Sequence, residues 1–142
     1  MDRMLHVHVR RCLGCGKCEL ACAFGHGDSG APGVPRIQVL RRGPEAGTPV
    51  TCLQCHDAAC VAVCPTGALA RHPGTGAITL QDERCVHCRA CVLACPFGNM
   101  VWDPAAARVA KCDLCGGAPR CAAFCPNGAL VYARAPAAGA AP

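Results

Sequence analysis

Cys85-Val86-His87-Cys88-Arg89-Ala90-Cys91-Val92-Leu93-Ala94-Cys95-Pro96 has the spacing C-x2-C-x2-C-x3-C-P. That run is a bacterial iron-sulfur ligand motif, in which the fourth cysteine serves a different cluster from the first three. Three thiolates so spaced wrap one face of a cubane only from a tight loop. Pro96, with a fixed φ and no N–H, ends the ligand turn. One such run is half of something, and its partners lie in the same chain. Cys12, Cys15, Cys18 and Cys22 repeat the spacing; Cys52, Cys55, Cys60 and Cys64 widen the second gap by two residues; Cys112, Cys115, Cys121 and Cys125 widen it by three. These quartets use all 16 cysteines. They predict four 4Fe-4S clusters, with no thiol left for a disulfide or a nucleophile.

The rest of the composition agrees. The chain has 142 residues, enough for one or two small domains. Its hydrophobic fraction of 52% is inflated by cysteine and alanine, since aromatic residues make up only 4%. Such a core needs staples, and metal-ligand bonds formed only in the folded state add directly to stability. The apoprotein is therefore expected to be largely unfolded. The formal charge of +5 counts cysteines as neutral. Four oxidised cubanes with their thiolates bring about −8, leaving a holoprotein near −3. Nucleic-acid binding thus loses its electrostatic support. Arg10, Arg11, Lys17, Arg84, Arg89, Lys111 and Arg120 flank ligands and are candidates to offset cluster charge and raise reduction potentials.

No secretory signal is legible, Arg10-Arg11 being followed at once by Cys12, and no apolar run reaches membrane length. A cytoplasmic protein without direct membrane insertion is expected. In a reducing compartment, close regular cysteines read as metal ligands.

Leu5 to Val9 alternates like a half-buried strand, with His6 and His8 on its solvent face. Gly14 and Gly16 allow positive φ in the first ligand loop. Glu19 to Phe24 predicts a short helix, which Ala23, standing where proline is usual, lets run on. Gly27 to Pro35 reads as a loop, Arg36 to Leu40 as a strand, and Gly43 to Pro49 as a second loop. This insert is expected to be a connector, with docking of a partner as the alternative. Cys64-Pro65-Thr66-Gly67-Ala68-Leu69 recurs as Cys125-Pro126-Asn127-Gly128-Ala129-Leu130. Leu69 to Leu80 predicts a hairpin turning on Pro73-Gly74-Thr75-Gly76, and Met100 to Ala110 a second one turning at Asp103-Pro104. Leu130 to Tyr132 predicts a strand beside Leu5 to Val9. Of the other histidines, His26 and His72 read as surface, and so by default do His56 and His87, although these two adjoin ligands and could tune a cluster through hydrogen bonding. Trp102 and Tyr132 read as packing residues. The fold class is α+β: tandem ferredoxin-like units of short helices and hairpins around the clusters.

The spacing series resembles the four-cluster ferredoxin-like electron-transfer subunits of molybdenum and tungsten oxidoreductase complexes, of formate hydrogenlyase type and of carbon monoxide dehydrogenases. Cys18-Glu19-Leu20-Ala21-Cys22-Ala23-Phe24, Pro35-Arg36-Ile37 and Lys111-Cys112-Asp113-Leu114-Cys115-Gly116-Gly117-Ala118-Pro119-Arg120-Cys121 are most similar to the small iron-sulfur subunits that accompany tungsten aldehyde oxidoreductases. The resemblance implies that ligands cross between quartets. Cys12, Cys15, Cys18 and Cys125 would hold one cluster, and Cys112, Cys115, Cys121 and Cys22 a second. Cys52, Cys55, Cys60 and Cys95 would hold a third, and Cys85, Cys88, Cys91 and Cys64 the fourth. It implies two dicluster modules, residues 1–24 with 112–133 and residues 52–111, joined by an insert over 25–51 and followed by a disordered tail over 134–142.

The function this implies is a wire passing single electrons between a catalytic molybdenum- or tungsten-cofactor subunit and another redox subunit, which could be a flavin subunit linked to NAD. No residues remain to transform a substrate, so no enzyme is expected. The alternatives are a molybdenum formate dehydrogenase, hydrogenase or CO dehydrogenase partner, a free-standing polyferredoxin, or a zinc-binding interaction module. Zinc sites take cysteines as two pairs and do not need the triple run. Clusters near both ends would also permit end-to-end self-association.

Overall fold

The computed structural model describes residues 3–135. Its strands pair into four two-stranded antiparallel sheets. β1 (Arg3–Val7) pairs with the last strand, β8 (Leu130–Arg134), in the register Val7 to Leu130 and Arg3 to Arg134. The expected strand thus begins and ends two residues early, and Val9–Arg11 forms a 3-10 turn leading into Cys12. The guanidinium of Arg3 lies 4.5 Å from the centre of the Tyr132 ring and donates to the Tyr132 carbonyl at 3.0 Å. Tyr132 is therefore a packing residue. Arg134 lies within β8. Arg134 is therefore not part of the expected disordered tail, and residues 136–142 of that tail lie outside the described residues.

The first ligand loop enters α1 (Lys17–Gly25). Without a proline after Cys22 the helix runs on to Gly25, as the sequence predicts. The next segment departs from expectation. Residues read as a strand followed by a loop form a hairpin, β2 (Ile37–Gly43) with β3 (Ala46–Thr51), irregular between Arg41 and Gly43. Pro49 and the small residues before it hid β3, since the pattern lacks the bulky alternation of a strand. This hairpin does more than connect. Ile37 and Val39 are buried with Cys18, Cys22, Cys121 and Leu130 in one apolar cluster.

The second quartet carries α2 (Ala59–Ala62), followed by the hairpin of β4 (Leu69–Arg71) and β5 (Ile78–Leu80). His72 shapes its turn, its Nδ1 accepting from the amides of Gly74 and Thr75 at 3.2 Å each. α3 (Ala90–Ala94) follows the third quartet's loop, and β6 (Met100–Asp103) pairs with β7 (Arg108–Lys111). Here Asp103 caps the turn, accepting from Ala105 and Ala106 at 3.0 and 3.1 Å. Cys60, Leu69, Ile78, Cys91, Met100 and Val109 form a second apolar cluster. α4 (Arg120–Ala123) completes the chain's helices and packs on α1, while α2 packs on α3. The helix of the first quartet thus meets that of the fourth, and the second meets the third.

Candidate iron-sulfur sites

Each quartet begins with the turn C-x-x-C, and in all four the residue before the second cysteine is left-handed. Gly14 has φ 67°, Gln54 51°, His87 55° and Leu114 56°. Only the first is a glycine, so the sequence revealed one of the four. The last cysteine of three quartets opens a second turn, C-P-x-G, in which Gly67, Gly98 and Gly128 also have positive φ. Their amides donate back to the carbonyls of Cys64, Cys95 and Cys125 at 3.3, 3.3 and 3.5 Å.

These turns bring cysteines of different quartets together. Cys12, Cys15 and Cys18 line one cavity with Cys125, beside Val39, Pro49 and Leu130. Cys52, Cys55 and Cys60 line another with Cys95, beside Leu53, Ile78 and Met100. The empty volumes are about 350 and 370 Å³, partly open to solvent. Cys121 is pushed up to about 12 by burial and then by charge on Cys112, Cys22 and Cys115, which places those sulfurs around it. Cys91 is raised by burial and, more weakly, by Cys85 and Cys88. Cys64 packs against the same apolar cluster as Cys91.

The thiols fit a metal cluster and little else. All sixteen are free. Burial pushes Cys18 and Cys112 up to about 11 and also raises Cys22, Cys60 and Cys91. Without metal they would stay protonated, whereas iron selects the thiolate and releases the proton. Cys64 behaves differently. Burial is the largest single influence and pushes it up, but hydrogen bonds from the amides of Leu69, Thr66 and Ala68 and from the Thr66 hydroxyl together outweigh it. At Cys64 the C-P-x-G-A-L motif is thus a cradle of N–H groups around a sulfur.

Exposure is uneven. Cys15 and Cys88 are exposed, Cys18, Cys22, Cys60, Cys91 and Cys121 are buried, and the others lie between. The β2–β3 hairpin closes over the first loop. Glu19 on α1 accepts from the Val39 amide at 2.8 Å and pairs with Arg41 at 2.9 Å. At Gly47 a Cβ would lie 2.9 Å from Gly14 Cα and 3.1 Å from Cys12 Sγ, so only glycine lets the backbone approach.

The flanking cations divide by role. Arg10, Arg11 and Lys17 are exposed. Arg84 holds the Thr66 carbonyl at 2.9 Å, and Arg89 stacks 4.0 Å from the centre of Trp102, which packs in the second apolar cluster. Lys111 alone is buried, with Nζ 3.1 Å from Cys52 Sγ. Arg71, not singled out by sequence, donates to the Cys55 carbonyl at 2.5 Å and steadies that loop.

Among the histidines, chain proximity to a ligand is a poor guide. His56 is fully exposed, paired only with its neighbour Asp57. The His87 ring reaches only to 4.0 Å from Cys85 Sγ. His26, read as surface, is the one packed among site residues: its Nε2 lies 3.7 Å from both Cys115 Sγ and Asp113 Oδ1, and Asp113 pairs with Arg36 at 3.2 Å. Burial, and then Arg36, lower its pKa. Nothing local in the sequence marks His26, because the contact spans 89 residues. His6 and His8 touch no cysteine; His6 meets the Arg134 carbonyl at 3.1 Å, and His8 is exposed.

Short helices and hairpins around convergent cysteines define the class: a ferredoxin-type iron-sulfur protein of electron transfer. The chain belongs to the 4Fe-4S dicluster domain family, whose model matches residues 46–135, and a 4Fe-4S binding domain model matches residues 11–25. It is 44% identical over 115 residues to the polyferredoxin-like subunit of an aliphatic sulfonate oxidoreductase of Pyrococcus furiosus, covering 81% of this chain and 66% of that one. It is 36% identical to the electron transport protein HydN of Escherichia coli, covering 92% and 87%. The beta subunit of the NADH-dependent phenylglyoxylate dehydrogenase of Aromatoleum evansii is 38% identical, but the chain spans only 28% of its length. Among solved structures, the BamBC active-site complex of benzoyl-coenzyme A reductase superposes with a TM-score of 0.53 at 25% identity, covering 94% of this chain and 79% of that one.

Proposed function

We propose that the chain is a four-cluster wire within a larger oxidoreductase. In this reading Cys12, Cys15, Cys18 and Cys125 hold one 4Fe-4S cluster, and Cys112, Cys115, Cys121 and Cys22 a second. Cys52, Cys55, Cys60 and Cys95 hold a third, and Cys85, Cys88, Cys91 and Cys64 a fourth. Such clusters supply one-electron relay at potentials set by local charge, hydrogen bonds to sulfur and exposure. The chain supplies spacing, dryness and those hydrogen bonds. The observation that carries the reading is the pair of cavities, each lined by three cysteines of one quartet and the last cysteine of another. The packing of α1 on α4 and of α2 on α3 supports two dicluster modules, residues 1–24 with 112–133 and residues 52–111. The hairpin of 37–51 joins the first module.

The partner is a catalytic subunit with a molybdenum or tungsten cofactor, a tungsten aldehyde oxidoreductase in the first place. Electrons pass on to a second redox subunit or carrier, of which a flavin subunit linked to NAD is one form. Relatives named as oxidoreductase subunits support such an assembly. No helix among the described residues is long and apolar enough to cross a membrane, which is compatible with a cytoplasmic complex.

Anaerobic purification of the tagged protein from its native host tests this. Iron, sulfide, zinc, molybdenum and tungsten are measured along with the co-eluting chains. About sixteen irons per chain, with tungsten and a large co-eluting subunit, are expected. Sixteen irons with molybdenum move the wire to another partner, sixteen irons on a chain eluting alone make it a free carrier, and zinc without sulfide ends the reading.

A further inference from the structure

Four residues directly precede a quartet: Arg11, Thr51, Arg84 and Lys111. The two arginines are exposed and Thr51 is neutral, whereas Lys111 is only 3% exposed. A buried ammonium is costly unless it is paired. Yet no carboxylate of the described residues is ion-paired with Lys111. Its three hydrogens find three acceptors instead: the Cys112 carbonyl at 2.7 Å, Cys52 Sγ at 3.1 Å and Gln54 Oε1 at 3.3 Å. Gln54, itself 5% exposed, is fixed at both ends, donating to the Cys112 carbonyl at 3.0 Å and accepting from the Ile78 amide at 2.8 Å. Among the described residues the only anion within hydrogen-bond distance of Nζ is thus the sulfur of Cys52 as a thiolate.

Cys52 and Cys112 belong to different ligand sets. The ammonium touches both, at Cys52 Sγ and at the Cys112 carbonyl. We infer that Lys111, held by Gln54, is a positioning residue at the junction between the two sets. It raises the reduction potential of the set containing Cys52 and ties that set to the one containing Cys112. The inference rests on the ligand sets proposed above. A positive charge and a hydrogen bond at a ligand sulfur both favour the more negative, reduced state. The step transfers one electron from one set to the other and no proton, Nζ keeping its three hydrogens throughout. Cys112 is the next residue to Lys111, so Cα of Lys111, its side chain and the Nζ–Sγ contact form one short route between Cys112 and Cys52.

The test is a dithionite titration of the anaerobic holoprotein, followed by electron paramagnetic resonance, with iron and sulfide counted first. Lys111→Met keeps the volume and removes the charge. With iron and sulfide as in the wild type, one cluster is expected to become harder to reduce by roughly tenfold in its oxidised-to-reduced ratio, which is about 59 mV for a one-electron couple. Lys111→Arg keeps the charge and should stay within about threefold of the wild type. Gln54→Glu sets a carboxylate beside Nζ and should lower the same cluster while Lys111 stays in place. A fully loaded Lys111→Met with an unchanged titration overturns the inference. If Lys111→Met loses iron, Gln54→Glu decides, and an unchanged curve for it overturns the inference as well. Wild-type protein holding zinc without sulfide removes the ligand sets and the inference with them. Wild-type protein with four clusters and unshifted variants removes the inference alone.

Discussion

Single residues in the ligand loops are chosen for backbone shape as much as for chemistry. The left-handed position before each second cysteine turns the loop back on itself. A residue with a Cβ there costs about 1–2 kcal/mol relative to ordinary backbone, and the chain accepts Gln54, His87 and Leu114 at it. Leu114 is repaid by burial, being 1% exposed, and Gln54 by its hydrogen bonds. Gly14 has no such compensation for a side chain, because a Cβ would stand 3.2 Å from the Ala46 carbonyl oxygen at φ +67°. Gly14→Ala should therefore destabilise the holoprotein by about 1–2 kcal/mol, read as a lower midpoint of anaerobic thermal unfolding, whereas His87→Gly should cost less. Sequence reading singled out the four cysteine quartets, because spacing is local and covalent. It missed Gln54, Arg36 and His26, whose partners lie tens of residues away and whose residue types signal nothing by themselves.

At the scale of elements, the hairpins with polar or proline-marked turns were legible and the one built on small residues was not. Pro73 to Gly76 and Asp103-Pro104 announce β4–β5 and β6–β7, since their turn chemistry precedes any tertiary contact. β3 runs Ala46-Gly47-Thr48-Pro49-Val50-Thr51, a poor strand by propensity that tertiary packing overrides. Gly47 lets it lie against the first ligand loop, and Glu19 latches its partner strand β2 to α1. Glu19→Ala should weaken this attachment by about 1–2 kcal/mol. Most of that comes from the Val39 amide, since Arg41 is half exposed and an exposed pair contributes under about 1 kcal/mol. The latch is checked by limited proteolysis at Arg41 and Arg42, expected to speed up in the variant while iron content stays unchanged; equal rates would mean that Ile37 and Val39 hold the hairpin alone.

The whole molecule has two small apolar clusters, each of them partly cysteine. That makes the fold and its metal one thermodynamic object. Stripping iron with a chelator under reducing conditions should collapse the far-ultraviolet circular dichroism in a single transition with loss of the visible iron-sulfur absorbance. An apoprotein that keeps its hairpins would show that the thin core suffices. The overall α+β plan was legible because repetition of one short unit writes it four times. The lid over the first loop was not, because it depends on which face of the hairpin meets which quartet. The closing of the chain on itself also sets a clock. β1 finds its partner in β8, and α1 finds its partner in α4. During synthesis the thiols of the first quartet therefore wait, unpaired and open to oxygen or stray metal, until α4 and β8 have emerged. The hairpins from Leu69 to Lys111 already have their partners by then. The second and third quartets can be built first, and the first is sealed to the fourth last.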